Sequence, residues 1–302
     1  MAEEERVDPA VRLVALLFIS FSLFSTVKPA SAEEALRVEV LPGVVRQGEV
    51  CFIKASGLPT LKSIHVEFLR KKFPMTIGTG RIPCEGLVGI DLNTRPAIYG
   101  IRVIATDESS RVYSRGLLLK VRKADFKTQR LSLPSSMVDL DPETLERVNE
   151  ESGRLKAVFQ GLRNEKFWRG PFIRPVEGEL STRFGLRRII NGQIRSPHTG
   201  VDLRAEEGEP IRACNSGIVV LVDQFFFPGI SVIVDHGWGL YSSYFHLSEA
   251  LVREGDRVST GTMLGRVGST GRSTGFHLHW GIIINGARVD PLSLIKASKN
   301  LR

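Results

Sequence analysis

Cysteine is scarce in this chain. Three residues, Cys51, Cys84 and Cys214, allow one disulfide at most and fit an oxidising compartment. Long apolar runs are also missing. The stretch 13–24 is apolar for only twelve positions, short of the roughly 20 residues that span hydrocarbon, which weighs against a retained membrane anchor. Acidic charge is in deficit: 41 Lys and Arg against 33 Asp and Glu leave a formal charge of +8. Disorder is excluded as well, because a 302-residue chain with 42% hydrophobic composition can build about two domains with real cores.

The apolar stretch 13–24, followed by Ala30-Ser31-Ala32, reads as an export signal over residues 1–32 cleaved after Ala32; a retained anchor, with membrane contact through this segment, is the competing reading. Its acidic start, Glu3-Glu4-Glu5, departs from the usual positive n-region. An exported basic chain, in the periplasm or cell envelope, suits an anionic wall better than nucleic acid. Arg70-Lys71-Lys72 and Arg187-Arg188 are clusters that can help retention there, or simply solvated faces.

Residues 33–124 hold short β-rich runs separated by Gly, Pro and Asn turns, among them 36–40, 65–68, 99–104 and 117–121. About seven strands over some ninety residues predict an immunoglobulin-like β-sandwich. Cys51 and Cys84 share this region and can form its bridge, whereas Cys214 precedes the apolar run 218–222 and reads as a small buried residue. The next segment, 125–170, is a linker. In it Asp141-Pro142-Glu143 combines an N-cap, a first-position proline and a first-turn acid, and Leu145, Val148, Leu155, Val158 and Leu162 recur at helical spacing. One amphipathic helix docking on a neighbouring domain is expected, with a lid over a groove as the alternative. From 171 to 298 the pattern is again β. The paired runs 252–258 and 260–265 resemble a biotinyl-type hairpin, but no lysine sits at the turn for a prosthetic group, so a carrier domain is excluded and the hairpin is expected to wall a groove.

Histidine is limited to six residues, and four of them, His198, His246, His277 and His279, fall in short motifs of the last third. Alternate residues of a strand face one way, so His277-x-His279 aims both imidazoles at one side, and the even separation of His198 and Asp202 does the same in an extended segment. Together they can supply two histidines and one carboxylate to a zinc ion, leaving a position for water. Zinc at such a site lowers the pKa of its bound water and polarises a carbonyl, and neutral histidines nearby can take and return the proton. Tyr241 and Tyr244 flank the His246 motif as potential oxyanion donors, although strand tyrosines more often pack. His236 reads as structural, and His65 as an unremarkable strand residue of the other domain.

These residues carry a family resemblance. From about 172 to 294 the chain resembles the lysostaphin-type zinc metallopeptidases, which cleave peptide cross-links of bacterial cell walls. The matching stretches are Ser181-Thr182-Arg183-Phe184-Gly185, His198 to Asp202, Tyr244-Phe245-His246-Leu247-Ser248, and Gly271 through Trp280. The resemblance implies a C-terminal antiparallel β-sheet peptidase domain over 171–298 acting on peptidoglycan peptide stems. It implies one Zn2+ per chain held by His198, Asp202 and His279, with His246 and His277 as the catalytic, non-ligand histidines. Phe276 stands where proline commonly precedes the H-x-H pair and affects only local backbone. A non-catalytic regulator of wall amidases and a plain wall-binding module are the rival readings; the five intact positions favour the enzyme.

Overall fold

Alternating burial turns the short β-branched runs into strands. In β7 (Ala97–Asp107), Ile101, Val103 and Ala105 are buried while the residues between them face outward, so one face of the strand joins a core. The computed structural model describes residues 36–58, 60–78, 82–132 and 140–301. The expected export segment lies outside them. Among the described residues no helix is long and apolar enough to cross a membrane.

The chain is mainly β. Its N-terminal part has two sheets. One runs β1 (Arg37–Leu41), β3 (Val50–Ser56), β6 (Cys84–Gly89); the other runs β2 (Val44–Arg46), β8 (Val112–Arg122), β7, β4 (Leu61–Phe68), β5 (Lys71–Pro74). Phe52 and Ile53 of the first and Ile64, Val66 and Leu119 of the second share one core, each such side chain stabilising the fold by about 1.5–3 kcal/mol.

The Cys51–Cys84 bridge does not form. Both thiols are free and buried. The β3–β6 register sets Cys51 opposite Val88 and Cys84 opposite Ala55, so the two cysteines are offset by four residues along the ladder. That offset is roughly 13 Å at the rise of a strand, about twice what a disulfide spans.

The linking helix α1 (Pro142–Val158) starts where the cap predicts, with Asp141 Oδ1 accepting from Thr144 N at 2.9 Å. Its apolar docking is confined to the C-terminal end. Leu155, Val158 and Phe159 pack on Leu221, Phe225, Ile233 and Tyr241 of the C-terminal sheet, whereas Leu145 and Leu162 remain exposed. Glu151 accepts from Phe226 N at 2.8 Å, and Arg154 pairs with Asp223. The linker also contains a strand the sequence reading lacks, β9 (Thr128–Leu131), which runs parallel to β11 (Arg187–Ile190) of the hairpin completed by β12 (Gln193–Arg195).

The C-terminal part is a ten-stranded sheet. Its main path is β10 (Glu179–Thr182), β13 (Gly200–Arg204), β20 (His277–Ile284), β17 (Leu240–Ala250), β16 (Gly229–Asp235), β15 (Gly217–Phe225), β18 (Arg257–Val258), with β14 (Pro210–Arg212), β19 (Met263–Val267) and β21 (Ala287–Val289) attached. The hairpin expected to wall the groove divides: β18 pairs with β15 at the edge remote from β13, while β19 pairs with the end of β17 and leads into the loop 268–276. A second helix, α2 (Pro291–Ser298), is capped by Asp290, whose Oδ1 accepts from Leu292 N at 2.9 Å.

The two parts are joined along β20, β21 and α2. A Cβ on Gly89 would lie 3.0 Å from Ile284 Cβ and from Val289 Cγ1, so β6 presses directly on that edge. Val50 N donates to Ser293 Oγ at 2.8 Å, Asp290 N to Gly48 O at 2.7 Å and Arg288 N to Asp91 Oδ2 at 2.9 Å.

Candidate metal centre

Strand register assembles most of the site. β13 and β20 pair antiparallel with Asp202 directly opposite His279, and β17 sets Phe245 opposite the same histidine on its other side. Cross-strand partners bring their Cβ atoms to about 5 Å, which delivers carboxylate and imidazole to one point. The Phe245 ring stacks on His279 with centroids 5.5 Å apart and planes 4° from parallel, holding the imidazole edge toward Asp202. Gly200 completes the cradle: a Cβ there would lie 2.4 Å from Trp280 O and 2.8 Å from His279 Nε2.

Three donor atoms converge. His198 Nε2 lies 2.8 Å from Asp202 Oδ1 and 2.8 Å from His279 Nδ1, and His279 Nδ1 lies 2.9 Å from Asp202 Oδ1. His198 and Asp202 are buried, so the carboxylate has little water to solvate it. Burial alone would raise the Asp202 carboxyl, but its contacts with His198 and His279 and the charges of the two rings outweigh that and hold it well below the usual carboxylate range.

The protons are placed by backbone carbonyls. His198 Nδ1 donates to Arg183 O at 3.0 Å, His246 Nδ1 to Thr270 O at 2.8 Å and His277 Nδ1 to Gly275 O at 2.8 Å. In a neutral imidazole each of these bonds leaves Nε2 as a bare lone pair. A lone pair on His198 Nε2 therefore faces a carboxylate oxygen at hydrogen-bond distance, with one His279 proton at most to share. Such a crowd of acceptors repels itself unless a cation sits among them. The donor set fits a divalent metal, and among the described residues it is the group of histidine, cysteine and acidic side chains that can hold one.

His246 and His277 border the triad without joining it. His277 Nε2 is 3.9 Å from Asp202 Oδ1, and the His246 ring lies 4.8 Å from that of His277 and 6.3 Å from that of His279. Strict alternation would turn His246 into the core beside Tyr244. A β-bulge intervenes: Tyr244 and Leu247 of β17 face Val232 and Ile230 of β16, and His246 takes φ 67°, in the left-handed region. That twist re-aims the ring at the triad. Burial first, then the positive charge of His279, pushes the His246 pKa down to about 3, so it is neutral at neutral pH.

The remaining candidates are occupied elsewhere. Tyr244 OH accepts from Cys214 N at 2.9 Å inside the core and Tyr241 OH donates to Gly161 O, so neither reaches the site as an oxyanion donor. His236 is fully buried, with Nδ1 on Ser216 O at 2.8 Å and Nε2 on Ser242 Oγ at 2.7 Å. His65 is in β4 of the N-terminal part, 3.7 Å from Glu67. Sequence reasoning missed Gly200 as a close-approach residue, Phe245 as a stacking platform and Arg188, whose Nη2 lies 3.8 Å from Asp202 Oδ2.

The β-sheet thus brings two histidines and one carboxylate together, with two further imidazoles beside them, in an arrangement that can hold a metal ion. Residues 196–291 match peptidase family M23, and the chain carries a lysostaphin-type domain of that family. It is 33% identical over 145 residues to the peptidoglycan DD-endopeptidase ShyA of Vibrio cholerae, covering 48% of this chain and 31% of that protein. It is 42% identical over 119 residues to the DD-carboxypeptidase/endopeptidase Mpg of Neisseria meningitidis, covering 39% of this chain and 27% of that protein. The match thus spans about a third or less of the length of these curated relatives. A crystal structure of a family M23 peptidase candidate from Pseudomonas aeruginosa aligns over 83% of this chain and 95% of its own, with 29% identity and a TM-score of 0.64.

Proposed function

We propose that this chain is a zinc-dependent endopeptidase that hydrolyses peptide cross-links of bacterial peptidoglycan. The observation that carries the reading is the convergence of His198, Asp202 and His279 beside two imidazoles whose Nδ1 protons are tied to backbone carbonyls. His198, Asp202 and His279 hold the metal, one per chain. Zinc bound there supplies Lewis acidity and makes a water molecule acidic enough to ionise near neutral pH. One of His246 and His277 accepts the proton of the attacking water on Nε2, and the imidazolium so formed returns that proton to the leaving amine nitrogen, with the other histidine beside it. Phe245 and Gly200 fix the His279 ring so that none of this geometry has to be organised during the reaction.

The segment 1–32 exports the chain to the periplasm or cell envelope, and the N-terminal domain serves as a stabilising spacer. Retention of all five site residues in one cluster supports the enzyme over a silent amidase regulator. The names of the relatives in Vibrio and Neisseria point the same way.

The test is metal content together with release of soluble muropeptides from purified sacculi. About one zinc per chain and release abolished in His279→Ala are expected. Release that persists in His279→Ala contradicts the ligand assignment; wild-type protein that binds no zinc and releases nothing contradicts the enzyme.

A further inference from the structure

The five-stranded sheet of the N-terminal part turns one face to the core and leaves the other bare among the described residues. Its register orders the outward positions: Val44 of β2, Lys120 of β8 and Ile98 of β7 form one row, followed by Leu118 with Gly100 and then Gly116 with Arg102. Antiparallel sheets usually give such a face polar side chains. Here Leu118 is 73% exposed, Ile98 62% and Val44 42%, and Ile98 and Leu118 are diagonal neighbours beside Lys120. The charge around them has one sign. Arg46, Lys72, Arg102, Lys120 and Arg122 are all exposed on this face, against Glu67, its one acid among the described residues, which lies 3.7 Å from His65. A trough separates the apolar patch from the β4–β5 hairpin. A Cβ on Gly100 or Gly116 would meet nothing within 4 Å, so the floor is open, and Arg70, Lys71, Lys72 and Arg102 border a cavity of about 600 Å³ there. The two-residue turn of the hairpin, Leu69-Arg70, takes φ 48° and 62°, a left-handed geometry normally met by Asn-Gly. It sets an exposed leucine beside a guanidinium at the end of the trough.

We propose that this face seats the chain on the surface of an anionic lipid bilayer, with lipid phosphates in the basic trough and Leu69, Ile98 and Leu118 in the layer where headgroups meet acyl chains. The proposal is independent of the peptidase reading and gives the N-terminal domain a task besides that of spacer. Two kinds of side chain need satisfying at once. Cations near a membrane are drawn to anionic headgroups, whereas exposed aliphatic side chains gain only by leaving water. An anionic glycan would satisfy the first and leave the second wet, and a neutral apolar partner would do the reverse. A bilayer surface with negative headgroups does both. The metal centre stays clear of it: Lys71 Nζ donates to Asn285 O at 2.8 Å, and Asn285 is six residues beyond His279, roughly 20 Å at the rise of a strand. A headgroup in the trough therefore does not touch the metal-ligating residues.

The experiment uses residues 33–302, which keep every described residue and lack the apolar stretch 13–24, so that vesicle binding reports the folded domains. Cosedimentation is measured with vesicles of phosphatidylglycerol and phosphatidylethanolamine, with vesicles of phosphatidylcholine, and with purified lipid-free sacculi. The phosphatidylglycerol vesicles are expected to bind at least tenfold more tightly than those of phosphatidylcholine, and less tightly as salt screens the exposed charges. Arg102→Glu combined with Lys120→Glu should weaken that binding more than tenfold, at about fivefold for each cation lost. Leu118→Gln should weaken it severalfold with the salt dependence unchanged, which attraction of a basic chain by charge alone would not give. Thermal unfolding at the wild-type temperature verifies each fold; if the double variant misfolds, Arg70→Gln beside Leu118→Gln carries the same test. Equal binding to the two kinds of vesicle overturns the proposal, as does binding undiminished in the charge and leucine variants. Sacculi bound more tightly than vesicles, and through these same residues, also overturn it and assign the face to the wall polymer.

Discussion

Replacing Gly200 by alanine isolates a single requirement of the centre, the closeness of β13 to the His279 ring. The backbone of Gly200 is outside the left-handed region, so alanine meets no torsional penalty there, and only space is at issue. The new methyl group would sit 2.4 Å from Trp280 O and 2.8 Å from His279 Nε2, where ordinary contacts begin near 3.4 Å. The carbonyl belongs to the β13–β20 ladder and the imidazole is pinned against Phe245, so neither yields cheaply. β20 has to withdraw by about an ångström, a repacking that costs about 1–3 kcal/mol. The same shift opens the 2.8–2.9 Å contacts of His279 with His198 and Asp202. Loss of ligand orientation of this kind weakens metal binding by about 10–100-fold. Chelator competition reads the affinity, denaturant unfolding reads the stability, and Gly100→Ala, with nothing within 4 Å of its Cβ, serves as the neutral control. Gly200→Ala protein with wild-type zinc affinity and muropeptide release would refute the account of His279 positioning.

Acid should destabilise the fold through His236. Burial pushes its pKa down to about 4, so between pH 6.5 and 4 the unfolded chain binds the proton that the folded chain refuses. Stability is then full above pH 6.5 and is lost as pH falls through that window, by roughly 3 kcal/mol for the whole shift, and His236→Gln should flatten the pH dependence of denaturant unfolding. Thiol titration should find almost no reactive cysteine in the native chain and three after denaturation, because burial raises all three thiols, Cys51 to about 12 and Cys214 to about 11. Two titratable thiols fewer would restore the disulfide. Gly153→Ala, at an open position inside α1, should stabilise by about 0.5–1 kcal/mol in thermal unfolding.

The triad was legible because its two motifs obey the simplest rule of extended chain. His277 and His279 share a face, and Asp202 lands opposite His279 once β13 and β20 pair. The start of α1 was equally plain from Asp141-Pro142. The same pair of residue types recurs at Asp290-Pro291, and the helix it opens was missed because its eight residues are too few to show a period. His246 was expected at the site through the resemblance rather than through alternation, which would have buried it; the bulge that turns its ring toward the triad depends on pairing with β16 and leaves no mark in the local pattern. Arg187-Arg188 looked like a solvated charge run, since nothing local says that Arg188 reaches a carboxylate fourteen residues on in the chain. The cysteine pair failed for a related reason: proximity in one sheet is visible from composition, whereas the four-residue offset is set by register alone.

The junction between the two halves has a mechanical consequence. β20 supplies His277 and His279 at one end, and at its other end Ile284 bears on Gly89 of the N-terminal sheet, with β21 and α2 stitched to Val50, Gly48 and Asp91. The N-terminal module is thus a buttress to the strand that carries His277 and His279, not a tethered passenger swinging on a hinge. Calorimetry should register one cooperative melting event rather than two, and loosening the buttress should be felt as drift of His277 and His279 at the other end of β20.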